Sequence, residues 1–200
     1  MAKAIRKLAI GAALSLLCMA CTTTGGRNPS SDASPADRFM PLSRLKPIDL
    51  DGDPLSETET FHMNEHEPPK ALGEVRTGHY RIIAYTEGSS CGILVVDAKS
   101  SKKPSINLVS AWPKNDSDGI RRYAAGPYSF TSGAGSDGSH SRASFYCSES
   151  AMVVEYSAKE DAQASGRQGH VSIKERHSAP DSLVVIVGSD AARKKIRGQI

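Results

Sequence analysis

The sequence has no apolar run of the roughly 20 residues that a membrane-spanning helix needs. It has no C-x-x-C, and no segment recurs with a period of about 20–50 residues. Tryptophan occurs once, and aromatic residues make up only 6% of the 200 residues. These absences exclude a multi-span membrane protein, a paired-cysteine redox motif and a solenoid. Apolar residues reach 38% and charged residues 24%, an ordinary globular balance that also excludes wholesale disorder. Two hundred residues allow one domain with extensions, or at most two small domains.

What is present begins with an address. Lys3, Arg6 and Lys7 form a positive stretch, and LAIGAALSLL follows as an apolar core too short to span a bilayer. Residues 1–20 therefore read as a secretory signal. Cys18-Met19-Ala20 stands before Cys21, with a small residue at the cut. This stretch resembles a bacterial lipobox, although Cys18 and Met19 depart from the usual leucine and small residue. The resemblance implies a lipid on Cys21, and hence attachment to an envelope membrane. Cleavage by ordinary signal peptidase at the same bond is the alternative. Thr22, not Asp, follows Cys21, which in enterobacterial lipoproteins implies passage to the outer membrane. The protein is then expected in the bacterial envelope, lipid-anchored and facing the periplasm.

Cysteine arithmetic agrees with lipidation. Of four cysteines, Cys18 leaves with the signal and Cys21 takes the lipid, so Cys91 and Cys147 remain as an even pair. In an oxidising compartment a disulfide between them is expected. The net charge of +3 belongs to the signal, which carries three basic and no acidic residues. Without it the chain is neutral and makes no case for nucleic acid as a partner.

Composition divides the rest. Residues 21–47 are rich in Thr, Ser, Gly and Pro, a flexible tether. Residues 48–77 form an acidic lead-in, expected to be solvated, with a short helix capped by Ser56 and ended by Pro68-Pro69. Residues 78–189 are expected to be the folded domain. Residues 190–200 form a basic tail with a short helix, capped by Ser189 or Asp190 and ended by Gly198. That tail either docks on the acidic segment or stays solvated or lipid-facing.

Within 78–189, strand runs are expected at 79–86, 91–97, 105–111, 123–131, 143–148, 151–157, 170–175 and 183–188. They are rich in Val, Ile, Tyr and Phe and are separated by turn residues. No long helical period lies between them, so the fold class is all-β: a disulfide-linked sandwich or barrel of about seven or eight short strands, with short helices at its periphery. Ile93-Leu94-Val95-Val96 and Leu183-Val184-Val185-Ile186-Val187 are continuous apolar runs, which suit strands covered on both faces.

Several motifs invite a catalytic reading. His62, Glu65 and His66 spell H-x-x-E-H, which on a helix would offer zinc ligands and a base. Pro68 would end that helix almost at once, and no long helix is present to supply a further ligand. Gly133-Ala134-Gly135-Ser136-Asp137-Gly138 spells G-x-G-x-x-G, but a β-like run follows where the dinucleotide fingerprint requires a helix. Asp137, Ser139 and His140 are neighbours in one loop, whereas triads are assembled from distant segments. Asp49, Asp51 and Asp53 resemble the start of a calcium loop that Pro54 and Thr60 then break. No cofactor, metal or catalytic residue is expected.

A tethered β domain without chemistry is expected to bind. The first expectation is a domain that holds, and inhibits or neutralises, a periplasmic protein, the build of immunity lipoproteins and of cell-wall-enzyme inhibitors. A structural accessory of an envelope or secretion assembly comes second, and a zinc hydrolase using His62, Glu65 and His66 third. Trp112, with Lys114, Asn115 and Asp116, is the expected binding edge, since Trp is enriched at interface hot spots. A core position for Trp112 is the competing expectation.

Overall fold

Leu183-Val184-Val185-Ile186-Val187 offers water no polar side chain, and the fold leaves none of these residues exposed. Leu183, Val185 and Val187 point into a core between two sheets, while Val184 and Ile186 point outward into a second apolar cluster. Ile93 and Val95 likewise face the central core, and Leu94 and Val96 a third cluster. Both sheets of this computed structural model are therefore covered in part on their outer faces as well as on their inner ones. It describes residues 39–52, 54–57, 67–99, 104–114, 123–135, 140–158, 163–177 and 180–200.

The first sheet has the order β4-β3-β2-β1-β8, from β1 (Lys70–Arg76), β2 (Tyr80–Glu87), β3 (Ser90–Asp97), β4 (Pro104–Ala111) and β8 (Gly166–Gly169). The second has the order β5-β6-β7-β10-β9, from β5 (Ser129–Ala134), β6 (Arg142–Cys147), β7 (Ala151–Ser157), β9 (Val171–Arg176) and β10 (Ser182–Gly188). Every pairing is antiparallel. Cys91 in β3 and Cys147 in β6 are fully buried and joined by a disulfide, which ties one sheet to the other. The sheets are not closed into a barrel, but β4 and β5 run beside each other, where Ser110 and Ser129 share a hydrogen bond of 2.6 Å. At the opposite edge the chain passes from sheet to sheet between β8 and β9. Gly169 makes that corner at φ +82°, with Leu72 O 2.5 Å from where a Cβ would stand, so only glycine fits.

The all-β sandwich and its disulfide agree with the sequence reading, whereas the strand list and segment limits need correction. The lead-in expected over 48–77 contains β1, an inner strand of the first sheet. The run of acidic residues that ends at Glu74 made it read as solvated, yet Glu74 is fully buried. β8 (Gly-Arg-Gln-Gly) lies outside every expected strand run. The run expected over 123–131 becomes β5 only from Ser129, because Pro127 lacks the N–H that a ladder uses. The tether expected to extend to residue 47 is already folded at Leu42 and Leu45, which are buried in the central core. Leu42 opens a 3-10 turn over Leu42–Arg44 and Leu45 follows it, spaced so that both are buried.

The outer covers come from the same overlooked segments. Ile48, Leu50 and Leu55 lie on Ile83, Tyr85, Leu94 and Val96 of the first sheet. Leu55 belongs to the short helix α1 (Pro54–Glu57), which has Ser56 inside it instead of capping it. Gly92 leaves room for the Tyr85 ring, whose Cζ is 2.0 Å from where a Cβ at Gly92 would stand, and the Tyr85 hydroxyl reaches Asn107 Oδ1 at 3.2 Å. Burial pushes that phenol above its ordinary pKa. On the second sheet, α2 (Asp190–Arg197) buries Ala192 and Ile196. The Ser189 hydroxyl accepts from Ala192 N, and Gly198 follows the last turn, as expected. The tail thus docks on β10 and β9, and the acidic segment is engaged by arginines of β1 and β2 instead.

Candidate functional site

Strand register decides what the uncovered part of each sheet shows. On the outer face of the second sheet the pairings line up three rows. The first is Phe130, Tyr146, Val153, Ile186 and Ser172. The second is Ser132, Ser144, Glu155, Val184 and Lys174, and the third is Ala134, Arg142, Ser157, Ser182 and Arg176. The first row packs with α2 and with Tyr123 and Tyr128 of the preceding turn. At its edge Phe130 remains 48% exposed, its ring centroid 5.1 Å from that of Tyr146.

Over β5, β6, β7 and Ser182 the second and third rows, polar except for Ala134, form a shallow groove of about 460 Å³, walled on one side by Pro180. Ser132, Ser144, Ser157 and Ser182 line it, together with Arg142 and Glu155. Among the described residues none of these four hydroxyls has a hydrogen-bond partner. Several serines elsewhere in the domain are engaged. Ser105, Ser129, Ser148 and Ser165 donate to backbone carbonyls, and Ser189 caps a helix. Arg142 is exposed and has no ion pair among the described residues. Glu155 is held by Arg176 at 3.7 Å, and Lys174 donates to the carbonyl of Ile200. The groove is thus a set of unengaged donors on a rigid floor, beside an exposed aromatic ring.

A second charged group lies on the outer face of the first sheet. Glu74 Oε1 accepts from Arg81 Nε at 2.6 Å and from Arg76 Nε at 3.0 Å. Arg81 Nη1 donates to Asp51 O at 2.9 Å, and Arg76 Nη2 reaches the Asp51 carboxylate at 2.6 Å. The Arg76 hydrogen bond, then its charge, holds the exposed Asp51 below its usual carboxylate range. Asp51 therefore supports this contact at neutral pH and releases it as pH falls through that lowered pKa. This group fastens the covering segment to the sheet and offers no open site.

The residues expected to bind are placed as follows. Trp112 packs half-buried against the central core; its N–H bonds Ser89 O, and its indole nitrogen is buried with no partner among the described residues. This is the core position that competed with the binding role. Lys114 is exposed beside it. Asn115 and Asp116 lie outside the described residues, as do Cys21, His62, Glu65 and His66. Of the 133–140 loop, residues 136–139 also lie outside them. Among the described residues no group of His, Cys, Asp or Glu is placed to hold a metal ion, and no helix is long and apolar enough to cross a membrane.

Sequence reasoning missed the groove. Its signal was the alternation within each strand: Phe130, Ser132 and Ala134 on one side of β5, Arg142 and Ser144 of β6, Glu155 and Ser157 of β7. Only the register between strands turns these alternations into one surface. Comparison with known proteins finds no matching family model, no matching curated protein and no matching solved structure.

Proposed function

We propose that this chain is an envelope-anchored lipoprotein whose β-sandwich binds, and inhibits or neutralises, a protein in the periplasm. The observation that carries the binding role is the groove: four serine hydroxyls and Arg142, unengaged by the described residues, beside the exposed Phe130. A disulfide-tied sandwich holds these groups in place, so little ordering entropy opposes docking. Aromatic and arginine side chains are the residue types enriched at protein interfaces. The lipobox-like sequence ending at Cys21 supports the anchor, and tethering raises the effective concentration of the domain near a membrane-bound partner.

The binding test is a photo-reactive amino acid placed at Ser157, or in a control at Lys99, which is exposed at the end of β3. Cross-linking in intact cells is expected to trap one specific protein from Ser157 and not from Lys99. Equal trapping from both positions, or none from Ser157, rejects the face. Capture of several components of one large assembly would instead make the chain a structural accessory.

The anchor is tested separately. Cys21→Ser is expected to move the protein from the membrane fraction to the soluble fraction, read by fractionation and immunoblot. An unchanged distribution removes the lipid from the proposal.

A further inference from the structure

We infer that the groove on the second sheet takes an extended, carboxylate-rich peptide segment of the partner. This deepens the binding reading and rests on it.

The first reason is the balance of donors and acceptors. Arginine only donates, a serine hydroxyl donates and accepts, and a carboxylate only accepts. Among the described residues Glu155 is the one acceptor-only side chain lining the groove, and Arg176 lies 3.7 Å from it. That leaves Arg142 and the four hydroxyls with donors to spare. A ligand supplying acceptors in excess fits this surface, and a cationic ligand does not. The planar fork of Arg142 matches a carboxylate in two parallel hydrogen bonds.

The second reason is spacing. Residues two apart along a strand stand about 6.8 Å apart, so the row of Ser132 and Ser144 and the row of Arg142 and Ser157 are separated by that distance. An extended peptide presents alternate side chains at the same interval, so neighbouring acidic side chains on one of its faces meet successive rows. The floor is shallow because serine is small, which lets a peptide backbone approach the sheet. Phe130, two residues from Ser132 on the same face of β5, adds an exposed apolar ring beside these rows.

The test is fluorescence anisotropy of two labelled ten-residue peptides, one alternating Glu with Ser and one alternating Gln with Ser, titrated with the purified, oxidised full chain. The Glu peptide is expected to bind at least about tenfold more tightly, in line with a charge-assisted hydrogen bond. Its affinity should fall as salt rises, because the site is open to solvent. Arg142→Gln and, independently, Ser157→Asp should each weaken it about tenfold or more. Arg44→Gln, a change at an exposed arginine of the 3-10 turn, should leave it unchanged. Circular dichroism establishes that each variant is folded.

Equal binding of the Glu and Gln peptides overturns the inference, as does Glu-peptide binding insensitive to both groove variants. Stronger competition by polygalacturonate than by unlabelled Glu peptide would also overturn it, in favour of an anionic glycan. The two readings fail separately. If Ser157 cross-links a protein in cells while the peptides are not discriminated, the partner stands and the acidic chemistry falls. If the peptides behave as expected and no protein is trapped, the chemistry stands and the periplasmic protein partner falls.

Discussion

Glu74→Leu is expected to destabilise the domain by about 3–5 kcal/mol, the range for breaking a buried ion pair by removing one partner. Leucine suits the buried, sheet-facing position. The loss comes from Arg81, whose side chain is only 10% exposed and would be left without the carboxylate 2.6 Å away. One terminal nitrogen of Arg81 already has no partner among the described residues, so the pair carries a desolvation penalty even when intact. The double replacement Glu74→Leu/Arg81→Met is therefore expected to recover most of the loss or to exceed the parent. Urea unfolding of the two single variants and the double variant measures this coupling as a shift in midpoint at constant slope. If the double variant is as unstable as Glu74→Leu, the cost came from packing, and the charge account is wrong.

Cys91→Ala/Cys147→Ala is expected to cost about 2–4 kcal/mol, which for a domain of this size lowers Tm by roughly 5–15 °C. The bond spans a sequence separation of 56 residues and runs between the two sheets. Without it the unfolded chain regains the freedom that the loop closure removed, an entropy worth about 4 kcal/mol in the chain model. Alanine also leaves two small gaps in the central core. Calorimetry of the parent with and without reductant provides the control: reduction alone should reproduce most of the shift. A Tm unchanged by either treatment would mean that the sandwich packing alone sets the stability.

These two sites differ in how far the sequence disclosed them. The cysteine pair was legible by elimination, and most strands were legible from Val, Ile and Tyr runs separated by Gly, Ser and Asp. The continuous apolar runs at β3 and β10 announced strands covered twice, and the covers are there. Glu74 was read the wrong way because charge on a strand normally marks a wet face, and nothing local to β1 announces Arg81 seven residues on. β8 carried no apolar residue at all. The groove was illegible for a different reason. A one-residue slip between strands reverses every side chain on a face, so Arg142, Ser157 and Ser182 become neighbours only once register is known. Trp112 drew attention as the only tryptophan, while among the described residues the large exposed aromatic ring belongs to Phe130.

The segment that covers the first sheet also bears on how the domain responds to force. Leu42 N bonds Glu149 O at the β6–β7 turn of the second sheet, and six residues later Ile48 N bonds Ala71 O of β1 in the first. Any pull through the N-terminal residues reaches the sandwich here, shared between both sheets before a ladder is loaded. Peeling this segment away would strip Leu42 and Leu45 from the core and detach Ile48 and Leu50 from their cover, while leaving the disulfide and the second sheet's serine rows assembled. Under tension from the N-terminal side this strap is thus the first described segment to carry the load, ahead of the strands that display the groove.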